Sequence, residues 1–227
     1  MQLDEGAAAH ATRVMRLRVG DNLTLFDGSG NDFACNILNV QKNVVLVSVN
    51  SVAVINNESP INITLLLGIS AGDRMDIGLQ KAVELGVNRI IPLKIERSIV
   101  KLDDEKAKKR TAHWQQVVIA ACEQSGRAVV PTVAAPIHLA NWLAQNLNVD
   151  KTRITLDPLA DKKMVDLPKP TGEIQLLVGA EGGLSASEIV IAAQHGFIGV
   201  RLGKRILRTE TAPLAAIATA NTLWGDF

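Results

Sequence analysis

Tyrosine is absent from this 227-residue chain, and three tryptophans and four phenylalanines bring its aromatic content to only 3%. So small a supply excludes a surface that reads single strands by stacking many bases. An excess of either charge is also missing, with 24 Lys and Arg against 23 Asp and Glu, a formal net charge of +1. That balance excludes a protein that coats nucleic acid indiscriminately. The two cysteines, Cys35 and Cys122, lie 87 positions apart with no histidine pair nearby. They match no metal spacing, and a chain of this length needs no disulfide framework, so two buried, reduced thiols in a cytoplasmic protein are expected. Long apolar runs are lacking as well, since residues 44–47 and 65–67 fall far short of a membrane span. The opening Met1-Gln2-Leu3-Asp4-Glu5-Gly6 has neither the basic nor the apolar region of a signal peptide. What the chain does have is 47% apolar residues, enough to core one large domain or two small ones.

The first fifty or so residues read as strands. Leu23-Thr24-Leu25-Phe26-Asp27 alternates, Gly28-Ser29-Gly30-Asn31 is a turn cluster, and residues 33–40 and 44–52 are β-branched or alternating runs. A small barrel or sandwich is expected there, ended by the polar break Asn56-Asn57-Glu58-Ser59-Pro60. Domains are therefore placed at 1–58 and 61–227. The second domain alternates strands (61–69, 87–95, 153–156, 174–178, 197–202) with helices (from a cap at Asp73 to Gly86, 103–124, 139–147, 185–195, 212–223). Ser185-Ala186-Ser187-Glu188 is a capping-box pattern. Such alternation specifies an α/β domain with a largely parallel sheet.

Local charge departs from the total. Positions 189–209 hold no acid, while Arg201, Lys204, Arg205 and Arg208 fall within eight residues. Arg13, Arg16 and Arg18 form a second acid-free cluster beside His10. Two further stretches carry candidate chemistry. In Val178-Gly179-Ala180-Glu181-Gly182-Gly183, glycines between a strand and a helix allow close backbone approach to a ligand. It fits neither the dinucleotide nor the P-loop pattern. The other stretch is Leu202-Gly203-Lys204-Arg205-Ile206-Leu207-Arg208-Thr209-Glu210-Thr211-Ala212-Pro213, whose proline suits the first turn of a helix. A tight turn and a plain Arg–Glu ion pair remain open as structural alternatives. No hydrolase or zinc motif is present.

With Asp73-Arg74-Met75, Gln80-Lys81-Ala82-Val83-Glu84-Leu85-Gly86-Val87, Glu96-Arg97-Ser98 and Glu123-Gln124-Ser125-Gly126-Arg127, these two stretches resemble the RsmE family of ribosomal RNA methyltransferases, in the SPOUT superfamily. Val19-Gly20-Asp21 and Phe26-Asp27-Gly28-Ser29-Gly30 resemble its N-terminal domain, so the likeness spans nearly the whole chain. It implies a small PUA-like, RNA-binding β-barrel followed by a SPOUT α/β domain with a trefoil knot. The short first strand usual in the family is expected to be missing. The implied activity is S-adenosyl-L-methionine-dependent methylation of N3 of a uridine in 16S ribosomal RNA, within the small ribosomal subunit, by a homodimer that needs no metal or membrane. Gly179-Ala180-Glu181 stands where Gly-Pro-Glu is common, Lys204 replaces a frequent proline, and Pro213 a small helical residue.

The cofactor is then expected against Leu156 and Asp157, against Val178, Gly179, Glu181 and Gly182, and against Leu202, Gly203, Ile206, Leu207 and Thr211. Arg208 is the expected stabiliser of a developing uracil anion, and Glu210 orients Arg208 or relays the proton. Arg13, Arg16, Arg18, Arg127, Lys204 and Arg205 are expected on RNA phosphates. A SPOUT enzyme acting on ribose 2′-O or another base, and a noncatalytic ribosome-assembly factor, are the competing readings.

Overall fold

Alternation and turn chemistry build the N-terminal unit. In the computed structural model, which describes residues 1–42, 44–147 and 151–227, β1 (Asn22–Phe26), β2 (Asn31–Gln41) and β3 (Val44–Val54) form an antiparallel sheet in that order. Cys35 and Ile37 of β2 and Val45 and Val47 of β3 share a small core with Leu3, Ala8 and Ala11. A helix absent from the sequence expectation supplies those alanines. α1 (Glu5–Ala9) is capped by Asp4, whose carboxylate accepts the Ala7 N–H at 2.9 Å, and it runs on into a π-helical stretch, His10–Val14. An alanine run behind a capping aspartate favours this conformation. An extended segment precedes the helix, with the Leu3 N–H bonded to the Val45 carbonyl at 3.0 Å.

Residues 126–129 also join this unit, although they fall within the expected 61–227 span. The Gly30 N–H donates to the Ala128 carbonyl at 3.1 Å, and Asn57 Nδ2 to the Gly126 carbonyl at 2.6 Å. Pairing at such sequence distance leaves no local pattern to read.

The second unit, residues 58–125 and 130–227, is α/β. Among the described residues its sheet has seven parallel strands: β4 (Ile63–Gly68), β5 (Arg89–Lys94), β6 (Thr132–Val133), β7 (Ile137–His138), β8 (Thr152–Leu156), β9 (Ile174–Val178) and β10 (Ile198–Val200). Their order is β10-β8-β9-β4-β5-β6, with β7 also on β5. Every residue of β4 and β9 is buried, as their nearly unbroken apolar sequences require of strands covered on both faces. α2 (Arg74–Glu84), α3 (Asp104–Ser125), α4 (Leu139–Gln145), α5 (Ala186–Gln194) and α6 (Thr211–Trp224) complete the unit. α6 buries Pro213, Ala216, Ile217, Ala220, Asn221 and Trp224, a stripe at helical spacing.

Two expectations change in detail, and two strands were not expected. Asp73 stands at the start of α2 but in a helical conformation, and its side chain makes no cap hydrogen bond. The expected strand 197–202 shortens to β10 because the Arg201 N–H leaves the sheet to bond the Lys162 carbonyl at 2.8 Å. β6 and β7, two residues each, are too short to show a periodicity. The expected capping box is present, with Ser185 Oγ accepting the Glu188 N–H and Glu188 Oε2 accepting the Ser185 N–H at 2.8 Å. Chain order reverses at β4, which has β5 on one side and β9 on the other. Ligands of open α/β sheets bind beyond the carboxyl ends of strands near such a reversal.

Candidate functional site: a cavity at three strand ends

β8 ends at Leu156, β9 at Val178 and β10 at Val200, and the loops that follow enclose a cavity of about 790 Å³. That volume lies within the usual range for small-molecule sites. Leu156, Asp157, Val178, Gly179, Glu181, Gly182, Leu202, Gly203, Ile206 and Leu207 all line it, while Thr211 is not among the lining residues and opens α6. Arg208 and Glu210 line it as well. Arg208 is exposed and Glu210 half-buried, and Glu210 Oε2 is buried with no hydrogen-bond partner among the described residues.

The turn after β9 is built from backbone at closest approach. A Cβ on Gly179 would lie 2.7 Å from the carbonyl carbon of Gly183, and one on Gly68, at the end of β4, would lie 2.5 Å from the Ala180 nitrogen. No side chain fits at either place, so peptide groups face peptide groups. Glu181 locks the turn to the neighbouring element. Its Oε1 accepts the Ala71 N–H at 2.8 Å and a hydrogen bond from Arg74 Nη1 at 3.1 Å. Burial pushes the Glu181 carboxyl up, but the Ala71 N–H, its own backbone N–H and Arg74 outweigh that and hold it below its ordinary value. On the far side, Arg97 Nη1 donates to the Gly182 carbonyl at 3.1 Å.

The 201–210 segment has no regular secondary structure. Thr209 fastens it to the sheet, donating from Oγ1 to the Gly179 carbonyl at 3.1 Å and lying 3.1 Å from Ser70 Oγ. Arg201 of the basic cluster also lines the cavity, as do Arg74 and Arg97, to which the sequence reading gave no role. Arg74 and Arg97 stood within the family-like runs, but only a fold brings positions so distant to one wall.

The expected RNA contacts divide by unit. Arg13, Arg16 and Arg18 are exposed around the end of the π-helical stretch, with Arg16 at φ +56°. Lys204 and Arg205 are exposed on the second unit, Arg205 lining the cavity. Arg127 is different, because only 4% of it is exposed and its guanidinium is not offered at the surface. Among the described residues there is no cluster of three or more metal-ligating side chains, and no helix is long and apolar enough to cross a membrane.

A cavity walled by glycine backbone at the ends of parallel strands is a small-molecule site, and the matches to known proteins name the class. Residues 57–221 match a family model described as an RNA methyltransferase domain, and residues 3–50 one described as an RNA methyltransferase PUA domain. Ribosomal RNA small subunit methyltransferase E of Buchnera aphidicola subsp. Acyrthosiphon pisum is 33% identical over 218 residues, covering 96% of this chain and 86% of its own length. The Bacillus subtilis protein of the same name is 34% identical, covering 92% and 84%. The crystal structure of the Neisseria gonorrhoeae protein of that name, bound to S-adenosyl methionine, superposes with a TM-score of 0.93 at 44% identity, covering 100% of this chain and 93% of that one. The chain belongs to the ribosomal RNA small subunit methyltransferase E family.

Proposed function

We propose that this protein methylates N3 of a specific uridine in 16S ribosomal RNA, within the small ribosomal subunit, with S-adenosyl-L-methionine as donor. The observation that carries the reading is the cavity at the ends of β8, β9 and β10, lined by the two family-like stretches in a chain whose Neisseria relative is bound to that cofactor. The cavity fits such a group in size, in the glycine backbone of Gly179, Gly182 and Gly183, and in the apolar walls of Leu156, Val178 and Leu202. When bound, the cofactor supplies an electrophilic methyl carried on a sulfonium.

The chain's own residues then have two tasks. One is to hold an imide nitrogen in line with that methyl. The other is to favour negative charge on the uracil ring, since the N3 proton must leave as the N–C bond forms and the S–C bond breaks. Arg208, exposed at the cavity, stabilises that charge. Glu210, with a carboxylate oxygen unpartnered among the described residues, orients Arg208 or relays the proton. Lys204 and Arg205, and separately Arg13, Arg16 and Arg18 of the first unit, hold RNA phosphates. Arg127, being buried, is left out of this set.

The same reading makes the first unit a PUA-like RNA-binding barrel and the second a trefoil-knotted SPOUT domain. In support of the knot, the final loop starts at Arg201, bonded to the loop after β8, and ends at Thr209, bonded to the turn after β9. A cytoplasmic homodimer completes the reading. It is supported by Leu159 and Ile206, 90% and 86% exposed beside the cavity, where a partner subunit would cover them.

The test is incubation with small subunits that lack the modification, followed by nucleoside mass spectrometry and mapping. One 3-methyluridine is expected. A 2′-O-methyl nucleoside or another methylated base would remove the N3 assignment. No methylation together with no calorimetric cofactor binding would leave the noncatalytic assembly factor.

A further inference from the structure

The hydroxyl pair Ser70–Thr209 has no part in the chemistry assigned above, although Thr209 lines the cavity. Ser70 follows β4, is 6% exposed and is not among the cavity-lining residues. Its Oγ lies 3.1 Å from Thr209 Oγ1, which in turn lies 3.1 Å from the Gly179 carbonyl. A hydroxyl has one proton to give. Ser70 Oγ also lies 3.3 Å from the Gly68 carbonyl, so the bonds run either Ser70 to Thr209 to Gly179 or Thr209 to Ser70 to Gly68, and in both orders Thr209 is tied to the strand ends.

Thr209 sits between Arg208 and Glu210. Among the described residues it supplies the hydrogen bonds that tie residues 202–210 to the strand ends. The stretch has no helix or sheet of its own, so fixing the Thr209 side chain fixes the two peptide groups beside it. Those peptides carry the Arg208 and Glu210 side chains. The Arg208 carbonyl in turn accepts the Thr211 and Ala212 N–H groups at 3.0 and 2.9 Å, where α6 begins.

We infer that Ser70 is a positioning residue which, through Thr209, sets Arg208 and Glu210 in register with the Gly179 turn. This inference rests on the proposed methylation reading for its catalytic consequence. Its structural half, the anchoring of residues 202–210 to the strand ends, stands on the hydrogen bonds alone. The catalytic half follows because misplacing a charged group by about 1 Å costs on the order of 10²-fold in rate.

The experiment compares Ser70→Ala, Thr209→Val, Thr209→Ser and the Ser70→Ala/Thr209→Val pair in the full-length protein. Amide hydrogen exchange over residues 203–214 and steady-state kinetics on unmodified small subunits are both measured. Thr209→Val is expected to speed exchange at Thr211 and Ala212. It should lower kcat roughly 10- to 100-fold, with KM for the RNA substrate changed less than about twofold. Thr209→Ser, which keeps the hydroxyl, should recover most of both. The double variant should be no worse than Thr209→Val alone, because the two side chains act as one unit. Wild-type exchange and turnover in Thr209→Val would overturn the inference, and so would equal damage from Thr209→Ser. If the wild-type chain transfers no methyl group while exchange still follows this pattern, the anchor stands and the methylation reading falls.

Discussion

Arg208 is exposed at the cavity beside the half-buried Thr209 and Glu210, so its charge can meet a substrate while its backbone is held. Arg208→Ala should therefore cost about 10²-fold in turnover and leave cofactor affinity nearly unchanged. Steady-state kinetics with calorimetry check this, and near-normal turnover would remove Arg208 from the mechanism. Glu181 makes a different prediction, about acid. Its carboxyl is held below the ordinary value of 4.5, so the folded state favours the ionised form. The sign follows: the stabilisation is complete above that ordinary value and is lost as pH falls through the lower folded value. Glu181→Gln should flatten the acid limb of stability below about pH 4.5 and leave its slope above that unchanged. Denaturant midpoints taken against pH decide it, and parallel acid limbs in the two proteins would contradict it. Glu181 also shows what sequence reading misses at this scale. The glycine-rich turn marked the residue, but its partners Ala71 and Arg74 lie 110 and 107 positions away.

Elements were legible where local chemistry decides them and obscure where distant backbone does. The α5 cap was readable because Ser185 and Glu188 satisfy each other within one turn. Its weight is greater than the pattern shows, since Glu188 Oε1 also accepts the Glu96 N–H at 2.8 Å. Ser185→Ala should cost about 1 kcal/mol in unfolding free energy. Glu188→Ala, which leaves the Ser185 and Glu96 N–H groups without their acceptor, should cost roughly 1–3 kcal/mol. Equal midpoint shifts would show that the link to Glu96 contributes nothing. The helix 5–14 and the paired strands β6 and β7 were not legible, the first overshadowed by the strand pattern that follows and the others too short to repeat. Close packing at Gly68 was equally hidden, because its neighbours Ala180 and Gly179 come from β9's far end. Gly68→Ala should destabilise by about 1–3 kcal/mol, since backbone atoms cannot give way as a flexible side chain would. It should also weaken cofactor binding in calorimetry by displacing the turn that lines the cavity, and a stability loss with unaltered affinity would separate the two effects.

At the scale of the whole molecule, a net charge of +1 is compatible with an RNA substrate because the cations are sorted by place. Arg13, Arg16 and Arg18 are exposed together on the first unit, and Lys204 and Arg205 on the second, within a span of 21 residues without one acid. Composition counts charges and is blind to this sorting. It was equally blind to the burial of Arg127, whose segment joins the first unit through Gly30 and Asn57. If those five exposed side chains each meet a phosphate, log K should fall with log salt at a slope of about −4, since each displaced counterion contributes roughly 0.7–0.9. Arg16→Ala should then weaken binding to matched and unmatched RNA alike and make the slope shallower by roughly 0.7–0.9. Arg127→Gln should leave the slope as it is, because a buried guanidinium releases no counterion from RNA, whereas loss of a phosphate-bound cation would make it shallower. Fluorescence titrations of a labelled small-subunit RNA fragment across a salt series measure both. A wild-type slope near zero would mean that shape and base contacts, rather than these cations, hold the RNA. A slope that becomes shallower in Arg127→Gln would place that residue on a phosphate after all, and would mean that residues 126–129 rearrange when RNA binds.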